Sequence, residues 1–200
     1  MSWHAVLVAL GDHVILSAQA LICTLIIGLP LGVAAAYTKA RQAILAFAAL
    51  ARTIPSLALL TLLIPSLGIG TPPAVVALFA LALAPVVINA DAGLRAVPSA
   101  VIESGRAMGL SSRALFWRIS VPLSLGFCAA GVRLAALEIV AGATLATFVG
   151  AGGLGDIIIN GLQTNNDVTL MRGVMTVALL ALATDAAFSL LARKVKVPQA

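Results

Sequence analysis

Five apolar runs, each long enough to cross a bilayer as a helix, dominate this chain. They lie at roughly Val14–Tyr37, Ala43–Leu67, Pro73–Ala90, Leu123–Val149 and Met171–Leu191. A hydrocarbon core needs about 20 apolar residues in helical form. Inside it a backbone must satisfy its own hydrogen bonds, so only helices and closed barrels can span. A barrel would show short alternating segments. These runs are continuous and rich in Ala and Leu, which predicts helices packed through small side chains. Composition agrees, with 62% hydrophobic and 10% charged residues, against roughly half and a quarter in soluble domains. The expected fold class is all-α integral membrane, as one domain over residues 1–200 with no soluble part or linker. No Lys or Arg precedes the first run, so it does not read as a secretory leader.

The charges alternate between the connections. Lys39 and Arg41 follow the first run; Arg95, Arg106, Arg113 and Arg118 lie between the third and fourth; Arg193, Lys194 and Lys196 follow the fifth. The stretch Ser66–Pro73 carries no charge, and the connection before the fifth run holds Arg172 with Asp156 and Asp167. Cations gather on cytoplasmic loops. The N-terminus is therefore expected outside and the C-terminus in the cytoplasm, and the net charge of +5 calls for no nucleic acid. Cys23 and Cys128 sit in apolar runs and read as buried hydrophobes. No metal-ligand spacing and no cofactor motif occurs.

The stretch ESGRAMGLSSRALFWRISVP, Glu103 to Pro122, is a polar island on the expected cytoplasmic side. Glu103, Arg106, Ala107 and Leu110 share one face of a short helix. Gly109 can end that helix, and Ser111 or Ser112 can cap a second. There Leu115, Phe116 and Ile119 form a stripe, with Arg113 and Arg118 elsewhere. Pro122 is expected near the first turn of the fourth span, where proline costs little.

This island resembles the EAA motif of ABC importer permeases: Glu-Ala-Ala, three residues, Gly, nine residues, Ile, one residue, Leu-Pro. Here the positions hold Glu103-Ser104-Gly105, Gly109, Ile119 and Val121-Pro122, with Ser104, Gly105 and Val121 as departures. RTIPSLALL (Arg52 to Leu60) and TFVGAGGLGDIIINGL (Thr147 to Leu162) are similar to segments of osmoprotectant and methionine importer permeases. The likeness runs over about Val14 to Lys194 and is nearest the branch that imports glycine betaine, choline and carnitine. It implies the five-helix type I importer core in a bacterial inner membrane. It also implies a coupling loop (about 95–120) that docks on a separate ATPase subunit through Glu103, Gly105, Arg106, Ala107, Met108, Gly109, Leu110 and Phe116. A second permease copy or paralogue and an extracytoplasmic substrate-binding protein are the other implied partners. The chain has no GxxxxGK[ST], so ATP hydrolysis is expected elsewhere.

Four glycines fall within Gly150–Asp156, in an expected outer loop of about 150–170. Gly152, Gly153 and Gly155 are gate candidates there, ahead of a short helix at Asp156–Leu162 and a polar turn at Gln163–Asp167. Ionisable groups inside spans mark functional candidates, because burying them alone costs several kcal/mol. Arg52, Arg133, Glu138 and Asp185 are such groups, Asp91 lies at a span end, and Pro55 breaks the second run. Arg133 and Glu138 are about 140° apart on a helix and poorly placed to pair; Asp185 is one candidate partner for Arg133. They divide between structural ion pairs and pathway-lining groups. A cation–π box for a quaternary amine is absent, since Trp3 and Trp117 lie at opposite ends. Recognition is therefore expected of the binding protein. An intramembrane enzyme is disfavoured: His4 and His13 precede the first run, and no HExxH or Gly-x-Ser-x-Gly motif occurs. No residue is assigned a catalytic role. A self-contained channel would not need the island.

Overall fold

The computed structural model describes residues 3–194. Lys196 lies outside the described residues, as do the side chains of Arg193 and Lys194. All regular structure among the described residues is helical.

Helix α1 spans Trp3–Tyr37, 35 residues, and begins well before the expected Val14. The added turns are held by packing: Val6 is buried in a cluster with Leu154 and Ile157, flanked by Ala9 and Leu10. His13, expected to precede the first span, is fully buried within α1.

The second run is not one straight helix. It divides into α2 (Arg41–Thr53) and α3 (Ser56–Leu67), bent by 92° at Ile54–Pro55. Pro55 has no N–H to donate, and a residue before proline is pushed out of the α region. Ile54 accordingly sits at φ −70°, ψ 124°. Counting this pair as one crossing gives five candidate spans by length and composition; without it there are four.

Helix α4 (Thr71–Arg95) is the centre of the bundle, with 61% of its most apolar window buried. It runs parallel to α1 and antiparallel to α7 (Val121–Gly142). Small residues permit the approach: a Cβ on Gly32 would meet that of Ala90 at 2.5 Å, and one on Gly131 would meet the Pro85 carbonyl at 2.7 Å. Such contacts replace the missing hydrophobic drive between helices in lipid. Leu16, Leu60, Val86, Ile139 and Val149 complete the main core.

The island forms α5 (Ser99–Ala107) and α6 (Ser112–Leu115). Helix α6 does not stand apart from the fourth span, as the motif reading had it. It continues through a π-helical turn, Phe116–Ser120, into α7, then through a 3₁₀ segment, Ala143–Val149. Pro122 therefore lies inside a continuous helical run of 38 residues, Ser112–Val149. The π turn explains how. In an α-helix the proline ring would clash with the carbonyl four residues back. Here the helix is widened, with the Val121 N–H reaching the Phe116 carbonyl.

At the end away from the island, α8 (Leu154–Gln163) and α9 (Asp167–Lys194) form a hairpin. Asn166 accepts from the Thr169 N–H, and Asn165 takes the left-handed conformation, φ 47°. No part of the most apolar window of α9 is buried within the chain.

Candidate functional site

The island folds into a rigid corner. Helix α5 ends in a Schellman motif: the Leu110 N–H bonds the Gly105 carbonyl at 3.1 Å, and the Gly109 N–H bonds that of Arg106 at 2.9 Å. Gly109 supplies the required positive φ, 82°. Ser111 then caps α6 by accepting from the Ala114 N–H. Gly105 is buried, and its open side is filled by the side-chain ends of Leu115, Ile119 and Leu110. Phe116 packs edge-on against Tyr37 and Trp117, with centroids 6.0 and 5.0 Å away. A cleft of about 390 Å³ lies beneath, between Tyr37, Leu94, Ile102, Arg106 and Phe116. Glu103, Arg106, Ala107, Met108 and Gly109 are exposed, while Leu115 is buried and Ile119 half-buried.

The charges within the helices pair across elements. Arg133 meets Asp185 of α9 through two hydrogen bonds, 2.6 and 2.8 Å. Glu138 meets Arg52 of α2 at 3.2 Å. The two α7 residues thus reach different helices, as their angular separation requires. A third pair escaped the sequence reading: Asp91, 2% exposed, accepts three hydrogen bonds from Arg41. From the sequence, Arg41 bears only on topology. Its position one short loop after α1, against a carboxylate ending an apolar run, was the available signal.

At the opposite end, Gly152 and Gly153 both hold positive φ, 76° and 93°. Gly155 sits against the Thr144 carbonyl with no room for a side chain. The Thr147 hydroxyl donates to Asp156. His13 pins the loop: Nε2 donates to the Val140 carbonyl at 3.0 Å, and Nδ1 accepts the Leu154 N–H at 3.3 Å. Arg172 lies 5.4 Å above the Trp3 ring. The pathway and gate candidates are not one cluster. Arg52, Pro55 and Glu138 gather at the α2–α3 break, Arg133 and Asp185 between α7 and α9, and the glycines at the loop.

The profile of the family described as binding-protein-dependent transport system inner membrane component matches residues 28–197. The chain belongs to this family. It is 38% identical to the carnitine transport permease protein OpuCB of Listeria monocytogenes, over 91% of this chain and 84% of the relative. It is 35% identical to the glycine betaine/carnitine/choline transport system permease protein OpuCB of Bacillus subtilis, over 92% and 86%. In fold it is similar to a chain of the inward-facing MetNI methionine ABC transporter: TM-score 0.88, 22% identity, covering 98% of this chain and 100% of that one. This family member is therefore an all-helical, multi-pass membrane permease.

Proposed function

We propose that the chain is the permease subunit of an ATP-driven importer for quaternary-amine osmoprotectants such as glycine betaine, carnitine and choline, in a bacterial inner membrane. The observation that carries this reading is the similarity over nine-tenths of the chain to permeases named for those solutes. The methionine transporter neighbour, at 22% identity, supports the fold and not the solute.

The described helices act as one permease domain with its N-terminus outside and C-terminus in the cytoplasm. Segment 95–120 is the coupling loop for a separate ATPase subunit. Its second stripe, Leu115 and Ile119, is occupied against Gly105, so the surface left for docking is Glu103, Arg106, Ala107, Met108 and Gly109. A short rigid helix with exposed anchors suits a groove on a partner. Segment 150–170 faces the substrate-binding protein, with Gly152, Gly153 and Gly155 shaping the outer gate. Two permease chains, this one with a second copy or a paralogue, enclose the pathway.

The test is co-purification with the ATPase and binding protein, followed by uptake of radiolabelled glycine betaine into proteoliposomes. Glu103→Lys should leave the chain folded and reduce ATP-driven uptake at least about tenfold through loss of docking. Unchanged uptake in that variant would remove the coupling assignment.

A further inference from the structure

The three ion pairs are not alike. Asp91 is buried and receives three hydrogen bonds from Arg41. Asp185 is gripped at both oxygens by Arg133. Arg52 touches only one oxygen of Glu138, at 3.2 Å. The other, Oε2, is enclosed and receives no hydrogen bond among the described residues. A one-pronged pair is weaker than a two-pronged one, and an enclosed acceptor left unpaired is unfavourable.

The two halves also sit on different kinds of support. Glu138 is on the continuous run Ser112–Val149. Arg52 lies in the last turn of α2, two residues before Ile54 and the 92° break, and its side chain is 46% exposed. The cation can swing while the carboxylate stays. Glu138 also lies near the middle of an apolar stretch, in line with the exposed Leu134 and Ala141 on α7. A carboxylate facing lipid there would cost several kcal/mol, so this stripe faces water or protein in the assembly.

We infer that Arg52 and Glu138 form an exchangeable ion pair that the solute opens in passing: Glu138 takes the quaternary ammonium, and Arg52 takes the solute's carboxylate where it has one. This rests on the quaternary-amine reading above. A trimethylammonium group has no N–H, so it is held by charge and contact alone. A carboxylate that its partner holds at one oxygen only offers both as soon as that partner swings away. Glycine betaine and carnitine are zwitterions and replace both halves of the pair together. Choline has a hydroxyl in place of the carboxylate and replaces only Arg52. The pair Arg133–Asp185 lacks both the free oxygen and the break, and stays closed. The pathway thus distinguishes zwitterion from simple cation at Arg52, after any selection by a binding protein.

The experiment compares uptake of radiolabelled glycine betaine and choline by the complete importer in proteoliposomes. Arg52→Gln should lower betaine uptake about tenfold and choline uptake less than about twofold. Arg52→Lys should restore betaine uptake. Glu138→Gln should lower both about tenfold. Co-purification with the ATPase in the wild-type ratio controls for folding. Equal loss of both solutes in Arg52→Gln with no rescue by Arg52→Lys makes the pair structural and overturns the inference. Full uptake in Glu138→Gln overturns it as well. A wild-type importer that moves neither solute removes the quaternary-amine reading itself, and the inference with it.

Discussion

Gly109 separates two effects that a single substitution usually mixes. A side chain there meets open space, with no atom within 4 Å, but the backbone is at φ 82°. Any L residue should therefore cost about 1–2 kcal/mol, whatever its size. Gly109→Ala and Gly109→Trp should lower the thermal midpoint in detergent by the same amount. Only the Trp variant should lose ATPase binding, read by co-purification. His13 makes the opposite case, because its ring joins α1 to the end of α7 and the start of α8. His13→Ala strands the Val140 carbonyl and the Leu154 N–H, and should cost about 3 kcal/mol, visible as a lower thermal midpoint. Nothing local to His13 announces this. As the last polar residue before a greasy run, it looks like a boundary. Its partners are 127 and 141 residues away. Arg133 was more legible, because its distance around the helix from Glu138 forced a partner elsewhere and few acids were available.

Helix ends and breaks divide in the same way. The stop at Gly109 and the cap at Ser111 follow from residue type and spacing, and both are where the pattern put them. The start of α1 is set instead by α8, whose Leu154 and Ile157 give Val6 something to pack on. No window of sequence contains that. Pro55 was visible as a breaker, yet its 92° bend depends on α3 packing Leu60 into the core shared with Ala74 and Ile139. Two glycines show how close approach differs between elements. At Gly105 the obstacle is the flexible end of Leu115, and at Gly155 it is the backbone carbonyl of Thr144. Gly105→Ala should cost under about 1 kcal/mol after Leu115 changes rotamer. Gly155→Ala should cost about 3 kcal/mol, because α8 must lift away. Thermal midpoints of the two variants would decide it; equal shifts would contradict the distinction.

For the whole molecule, the apolar runs were enough to read the all-helical class and four of the five crossings, since bilayer thickness sets helix length; the second run is a pair bent by 92°. They do not report which faces stay uncovered. The outer surface of α9 and the α7 stripe through Leu134 are exposed in the isolated chain. A pathway shared between two permease chains predicts that native mass spectrometry of the intact complex counts two of them, either two copies of this chain or one copy and a paralogue. A complex with one permease chain in all would contradict the shared pathway. One element runs from end to end of the chain's bundle: the helical run Ser112–Val149, 38 residues and some 55 Å long, from the α5–α6 corner to the glycine loop. Its π turn stores one residue more than an α-helix of the same phase needs. That extra residue is what lets Pro122 sit inside the run. Deleting Trp117 would close the wide turn and set the Pro122 ring against the carbonyl four residues back, so the run should break there. Adding a residue there would swing the corner about 100° around the helix axis and turn its exposed anchors away from any partner that the rest of the bundle still presents. This stretch of the chain has slack in neither direction.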